Sequence, residues 1–317
     1  MEEGFRDFGG ESKKIKKFSV IYRLINSYQT HKEEKNMKRI AMILMIVLLT
    51  LTLAGPVTAK EWKKVKIATE GAYAPWNFTD ASGKLTGFEI ELAGELCKRA
   101  GMEYEIVAQA WDGIIPALQA GKYDAIMAGM SITDKRKKVV LFSRDYAATP
   151  TTFIVMKDSP HEKFKTDPQR LYLGEVDENE QKSLDATAKE FAGKTIGVQT
   201  ATIQEQFLKQ YMKDKCEIRT YDTQENLELD LQAERIDAAL GAMSYWVKRV
   251  ASKEGENMFL VGPRMTGGPF GSGVGVAVRK DSQKLADKFT KAIDEMIADG
   301  SMKTLAVKWF TFDASAK

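Results

Sequence analysis

A serine, a threonine and an arginine at positions 131, 133 and 136 close the run Asp124–Arg136, and their chemistry is that of an anion grip. A guanidinium meets both oxygens of a carboxylate at once, a charge-assisted contact of roughly 1.5–3 kcal/mol. The hydroxyl of Ser131 adds a donor beside it, and the small residues Ala128 and Gly129 let the backbone approach a bound group closely. The competing reading of these residues is an ordinary strand, loop and helix with a solvated arginine. The elements that must position them are legible. Ala125, Ile126, Met127 and Ala128 form a short apolar run without helical period, as a buried strand does. Ser131 and Thr133 both suit a helix N-cap, which places Arg136 in the first turn behind it.

Further groups fall in similar places. Val65–Thr69 reads as a strand, and the loop after it, Glu70 to Trp76, carries the aromatics Tyr73 and Trp76. Tyr104–Ala108 reads as a strand and leads to Trp111-Asp112-Gly113. Thr195–Val198 reads as another, followed by the polar cradle Gln199-Thr200-Ala201-Thr202 at a helix N-terminus. Thr86-Gly87-Phe88-Glu89 has the form of a capping box for a helix with Phe88, Leu92, Leu96 and Ala100 on one face. Strands alternating with helices imply a parallel sheet, whose ligands sit beyond the carboxyl ends of the strands. Trp76, Trp111 and Ser131 all lie in such loops and are expected to converge.

The chain also echoes itself. Leu118–Ser131 and Leu231–Ser244 agree at seven of fourteen positions, including Leu-Gln-Ala, Asp-Ala and Met-Ser. One such repeat is too few for a solenoid and suits two lobes of like topology. The length of 317 residues allows two domains with real cores. Met258–Val261 and Val274–Val278 read as late strands around a glycine-rich link, and helices over 283–299 and 302–309 close the chain. That link lacks the features of a phosphate-binding loop. The segment Lys157–Lys189 is polar and reads as a partly helical surface excursion without assigned function.

Charge, cysteine and histidine narrow the classes. The first 59 residues hold ten of the 47 Lys and Arg and six of the 44 Asp and Glu, leaving 37 against 38, with no footprint for nucleic acid. Met37-Lys38-Arg39, an apolar run over Ile40–Ala54 and the small residues Val57-Thr58-Ala59 form a secretory signal peptide, expected to be cleaved after Ala59. Residues 1–36 are expected to be an upstream extension outside the fold. His31 and His161 are the only histidines, which excludes a His-based metal site or a Ser-His triad; no metal and no cofactor is expected. Cys97 and Cys216 are the only cysteines, and nothing in the pattern places them together.

The motifs Ala68-Thr69-Glu70-Gly71, Ala74-Pro75-Trp76-Asn77-Phe78, Trp111-Asp112-Gly113 and Ala128-Gly129-Met130-Ser131, with Arg136 and the Leu305–Phe310 end, recur in order. Through them the chain from Lys60 to Lys317 resembles the periplasmic solute-binding proteins of ABC amino-acid importers, and within these the octopine- and nopaline-binding branch. The resemblance implies an α/β, two-lobed periplasmic-binding-protein fold of type II with two hinge crossings and a cleft between the lobes. Lobe 1 would be 60–148 with 266–317, and lobe 2 would be 149–265. It also implies that Arg136 and Ser131 hold a carboxylate. Glu70 would pair with a cationic side chain on which Tyr73 and Trp111 stack, and lobe 2 would contribute Gln199, Ala201 and Thr202. Trp76, Ala128, Gly129, Met130 and Thr151 complete the expected ligand contacts. The implied protein is periplasmic, monomeric and recognised by an ABC permease of the inner membrane.

Two departures bear on the cargo. Ala242 stands where relatives place an aspartate against the α-amino group, and Gly129 where they place a serine. A primary ammonium would be left poorly paired there. The expected ligand is therefore an arginine-derived opine, whose amine is secondary and carries a carboxyalkyl branch. The alternative is a basic amino acid: arginine, lysine, ornithine or histidine. Readings of another class are a cleft enzyme of the dehydratase type, with Glu70 as acid–base group, and a ligand-sensing input domain. Cys97 matches half of a disulfide in basic-amino-acid binders, but Tyr104 stands at its partner's position, so the resemblance implies a free, buried thiol.

Overall fold

In a computed structural model the chain is described over residues 62–316, with four further positions before them, Lys35, Met37, Arg39 and Met42. The expected leader and the extension before it otherwise lie outside the described residues. The strands are β1 Lys64–Thr69, β2 Ala72–Tyr73, β3 Asn77–Thr79, β4 Leu85–Thr86, β5 Glu103–Ala108, β6 Ala125–Ile126 and β7 Leu141–Ala147. They continue with β8 Thr151–Met156, β9 Arg170–Tyr172, β10 Thr195–Gln199, β11 Glu217–Tyr221, β12 Ala238–Ala242, β13 Met258–Thr266 and β14 Val274–Val278.

Two sheets carry the lobes, in the orders β5-β1-β6-β14-β7 and β11-β10-β12-β8-β13-β9, and β2-β3-β4 form a small separate sheet. β1 runs parallel to β5 and β6, and β10 runs parallel to β11 and β12. Within β1 the residues Val65, Ile67 and Ala68 are fully buried, while Lys64 at its start is exposed. The chain passes from the first sheet to the second between β7 and β8, and returns between β13 and β14.

The internal echo has a structural cause. Asp124 accepts from the Lys66 amide at 3.1 Å and donates its own amide to the Lys66 carbonyl at 2.8 Å. Asp237 does the same with Thr195, at 2.8 and 2.9 Å. Each aspartate thus satisfies the backbone of the neighbouring parallel strand just before the paired positions, in the same register in both lobes.

Two expectations are corrected. The helix Phe88–Arg99 is capped by Gly87 at φ 125° with no side-chain bond, so Thr86–Glu89 is not a capping box. A Cβ at position 87 would stand 2.5 Å from the Trp76 carbonyl oxygen, which only glycine tolerates, and Glu89 turns inward instead. The segment 157–189 contains the expected helix, Glu178–Glu190, but also β9, which lies parallel to β13. Leu171 and Leu173 bury into the core of the second lobe and draw it in. Cys97 is a free, buried thiol and Cys216 a half-buried one.

Candidate functional site

The loops after the strands meet as a cleft of about 1020 Å³ between the two lobes. From the first lobe, Glu70 follows β1, Tyr73 and Trp76 stand on and beside β2, and Trp111 opens the turn after β5. Ala128, Gly129 and Ser131 follow β6, and Arg136 sits on the short helix Asp134–Lys137; all of them line the cleft. The second lobe faces them with Thr151 at the start of β8, Gln199 at the end of β10, and Thr202, the N-cap of the helix Ile203–Tyr211. The remaining two predicted residues lie elsewhere. Met130 is fully buried in the first-lobe core, because it alternates with residues that face the cleft. Ala201 is exposed at φ 57°, and its amide donates to Glu205 Oε2 at 2.7 Å, away from the cleft.

Arg136 is the cationic end of the site. Thr133 caps its helix, accepting from the Arg136 amide at 3.2 Å. The residue is 7 % exposed, and its guanidinium donates to the Ser131 carbonyl at 3.0 Å and lies 5.2 Å from the centroid of the Trp111 ring. Burial lowers its pKa to about 10. A guanidinium that is desolvated with no acid partner among the described residues, and that opens on a cleft, can receive one. The same geometry gives Trp111 a second face: it stacks on Arg136, where the resemblance places it on the ligand's cationic group.

Glu70 is the acidic end. Burial, reinforced by Glu89, Glu225 and Asp222 and opposed by a hydrogen bond, raises its carboxyl from 4.5 to about 7. That bond comes from the other lobe: Gln199 Nε2 donates to Glu70 Oε1 at 2.6 Å and to the Asp222 carbonyl at 3.0 Å. Gln224 holds the Gln199 amide in place, donating to its Oε1 at 3.3 Å. Aromatic rings also span the lobes. Tyr73 is stacked between Trp76, at 6.3 Å, and Tyr245, at 5.7 Å, while Trp76 Nε1 donates to Ser244 Oγ at 2.9 Å.

Sequence reasoning missed six contributors. Glu89, 1 % exposed, lies behind the cleft wall and accepts from Asn77 Nδ2 at 2.6 Å, from the Gly129 amide at 2.7 Å and from the Tyr146 hydroxyl. An acidic residue in a first helical turn ordinarily faces water and complements the helix dipole, so its inward turn had no local signal. Gln204 and Gln224 also line the cleft, the first donating to Thr151 Oγ1 at 3.0 Å. Arg170, Tyr172 and Gly174, from the segment without assigned function, form part of its wall. The space at Gly129 is accounted for as well. A Cβ there would lie 2.9 Å from Tyr73 Cε1, so Tyr73, and not a ligand branch, occupies the room beside this glycine. Among the described residues no group of three or more His, Cys, Asp or Glu is placed to hold a metal ion.

Two α/β lobes joined by paired crossings around a polar cleft define a type II periplasmic-binding-protein fold. The chain belongs to the bacterial extracellular solute-binding proteins, family 3, whose model matches residues 65–312. It is 38 % identical over 281 residues to an octopine-binding periplasmic protein of Rhizobium meliloti, covering 83 % of this chain and 95 % of that one. A histidine-binding periplasmic protein of Salmonella typhimurium is 35 % identical over 286 residues, covering 87 % and 98 %. Among solved structures, a periplasmic His/Glu/Gln/Arg/opine family-binding protein from Silicibacter pomeroyi in complex with lysine matches with TM-score 0.64. It is 32 % identical and covers 80 % of this chain and all of that one.

Proposed function

We propose that this chain is the periplasmic capture component of an ABC importer and that its cargo is an opine-type derivative of arginine. The observation that carries the reading is the pairing of opposite ends in one cleft: among the described residues Arg136 is buried without an acid, and Glu70 without a cation. A ligand with a carboxylate at one end and a guanidinium at the other satisfies both. Ala242, lining the cleft at 8 % exposure, presents a methyl group where an α-ammonium would need an anion. A secondary amine that carries an acid branch has less need of one. The likeness to an octopine-binding protein supports the same cargo, and that to a histidine-binding protein supports the second reading, a basic amino acid.

Capture works by differential affinity. The ligand meets one lobe first and stabilises the closed form in which both touch it. The closed monomer is what the permease recognises, and the ligand leaves chemically unchanged. Calorimetry against octopine, nopaline, arginine, lysine and histidine tests the cargo. An opine is expected to bind at least about ten-fold more tightly than arginine, a difference of about 1.4 kcal/mol. Arginine binding more tightly than every opine overturns the assignment and leaves the basic-amino-acid reading. Recovery of a chemically altered ligand would favour a cleft enzyme.

A further inference from the structure

The wall contributed by β9 is rigid and positively charged. β9 lies parallel along β13, with Arg264 opposite Arg170, Met265 opposite Leu171 and Thr266 opposite Tyr172. Leu171 and Met265 are buried in the core, which by strand alternation turns the two arginines, Tyr172 and Thr266 to the other face. Arg170, Tyr172 and Thr266 line the ligand cleft. The segment is pinned at several points. The Arg264 amide donates to the Gln169 carbonyl and the Leu173 amide to the Thr266 carbonyl, each at 2.7 Å, and the Tyr172 amide donates to Glu180 Oε1 at 2.7 Å. Gly174 and Gly267 pack on the Tyr172 ring, where a Cβ would stand 2.5 and 2.4 Å from its carbons.

Like charges directly opposite on neighbouring strands repel. Here the Cα positions of two exposed arginines are paired in register, Arg170 alone lines the cleft, and neither has an acidic partner among the described residues. We propose that Arg170, backed by Arg264, is a second acid-binding subsite of the cleft, distinct from the Arg136 clamp, and that the cargo carries an acid group beyond the one Arg136 holds. The identity of that cargo rests on the opine reading. A plain amino acid spends its only backbone carboxylate on Arg136, whereas the branch of octopine carries a further carboxylate and that of nopaline more than one.

The test is calorimetry of the full-length mature protein and its R170A and R170K variants with nopaline, octopine and arginine, using competition where binding is weak. Arg170 is exposed, so the variants are expected to keep the wild-type melting temperature. R170A should bind the opines roughly ten- to a hundred-fold more weakly, the worth of a charge-assisted contact, and arginine within about two-fold of wild type. R170K, which keeps the charge but not the planar fork, should fall between. Unchanged opine affinity in R170A overturns the subsite, as does an equal loss for arginine. The two claims separate: the wild-type ranking of arginine against the opines judges the cargo, and the ratio of wild-type to R170A affinity for an opine judges Arg170.

Discussion

Ligand binding by this protein should depend on pH through Glu70. Its carboxyl stands at about 7 against an ordinary 4.5, a difference of about 3 kcal/mol between its charged and neutral forms. The sign follows from where each state ionises. Below pH 4.5 the group is protonated in folded and unfolded chains alike, so its burial costs little. Between 4.5 and about 7 only the unfolded chain ionises, and the ligand-free fold loses that stability as pH rises through the window. A cation seated against Glu70 reverses the preference, because it favours the charged form. Affinity for a guanidinium ligand should therefore rise with pH and level off above about 7. At pH 5.5 it should be ~30-fold weaker than at pH 8, with close to one proton released per ligand bound. Calorimetry in buffers of differing ionisation enthalpy measures both quantities, and the Glu70→Gln variant should bind weakly with no such dependence. An affinity constant within about two-fold from pH 5.5 to 8, or an equal slope in Glu70→Gln, refutes the reasoning. Glu89, Asp222 and Glu225 act on the same carboxyl. The variant isolates the contribution of Glu70 from theirs.

Arg136→Ala is expected to abolish calorimetrically detectable binding of every carboxylate ligand; unaltered affinity would remove the clamp. Gly129→Ala should lower the melting temperature by about 5 °C or more and weaken ligand binding, because its Cβ meets Tyr73 at 2.9 Å and its φ of +61° suits glycine. A variant with wild-type melting and affinity would show that Tyr73 gives way freely. Glu89→Ala leaves the Gly129 amide, the Asn77 amide and the Tyr146 hydroxyl without their acceptor. At roughly 1–3 kcal/mol for each stranded group, urea unfolding should register a loss of about 3 kcal/mol or more. A change below about 1 kcal/mol would mean that water replaces the carboxylate.

Most of the framework was legible along the chain. The alternation of strand and helix, the loops that follow the strands, and the repeated Leu-Gln-Ala…Asp-Ala…Met-Ser pattern are local signals, and each lobe follows them. Thr133 as a cap and Arg136 one turn behind it were legible for the same reason, since capping depends on residues three apart. Met130 was misplaced because side-chain direction after a strand of two residues is set by the backbone path, which composition does not reveal. β9 was missed because three residues in a polar stretch carry too little periodicity to mark a strand. It exists only because β13 is there to pair with it.

By itself the sequence determined two α/β lobes, an arginine one turn behind a helix cap after a buried strand, and a cleft faced by aromatic and acidic loops. These depend on burial period, capping and turn chemistry, which act over a few residues. Only the tertiary structure decided what those groups meet: that Gln199 of one lobe bonds Glu70 of the other, that Glu89 holds the Gly129 amide, and that Arg170 joins the cleft wall. The physical reason is that desolvation and hydrogen bonding are settled by neighbours distant along the chain. Glu70 and Gln199 are 129 residues apart, and no local pattern relates them.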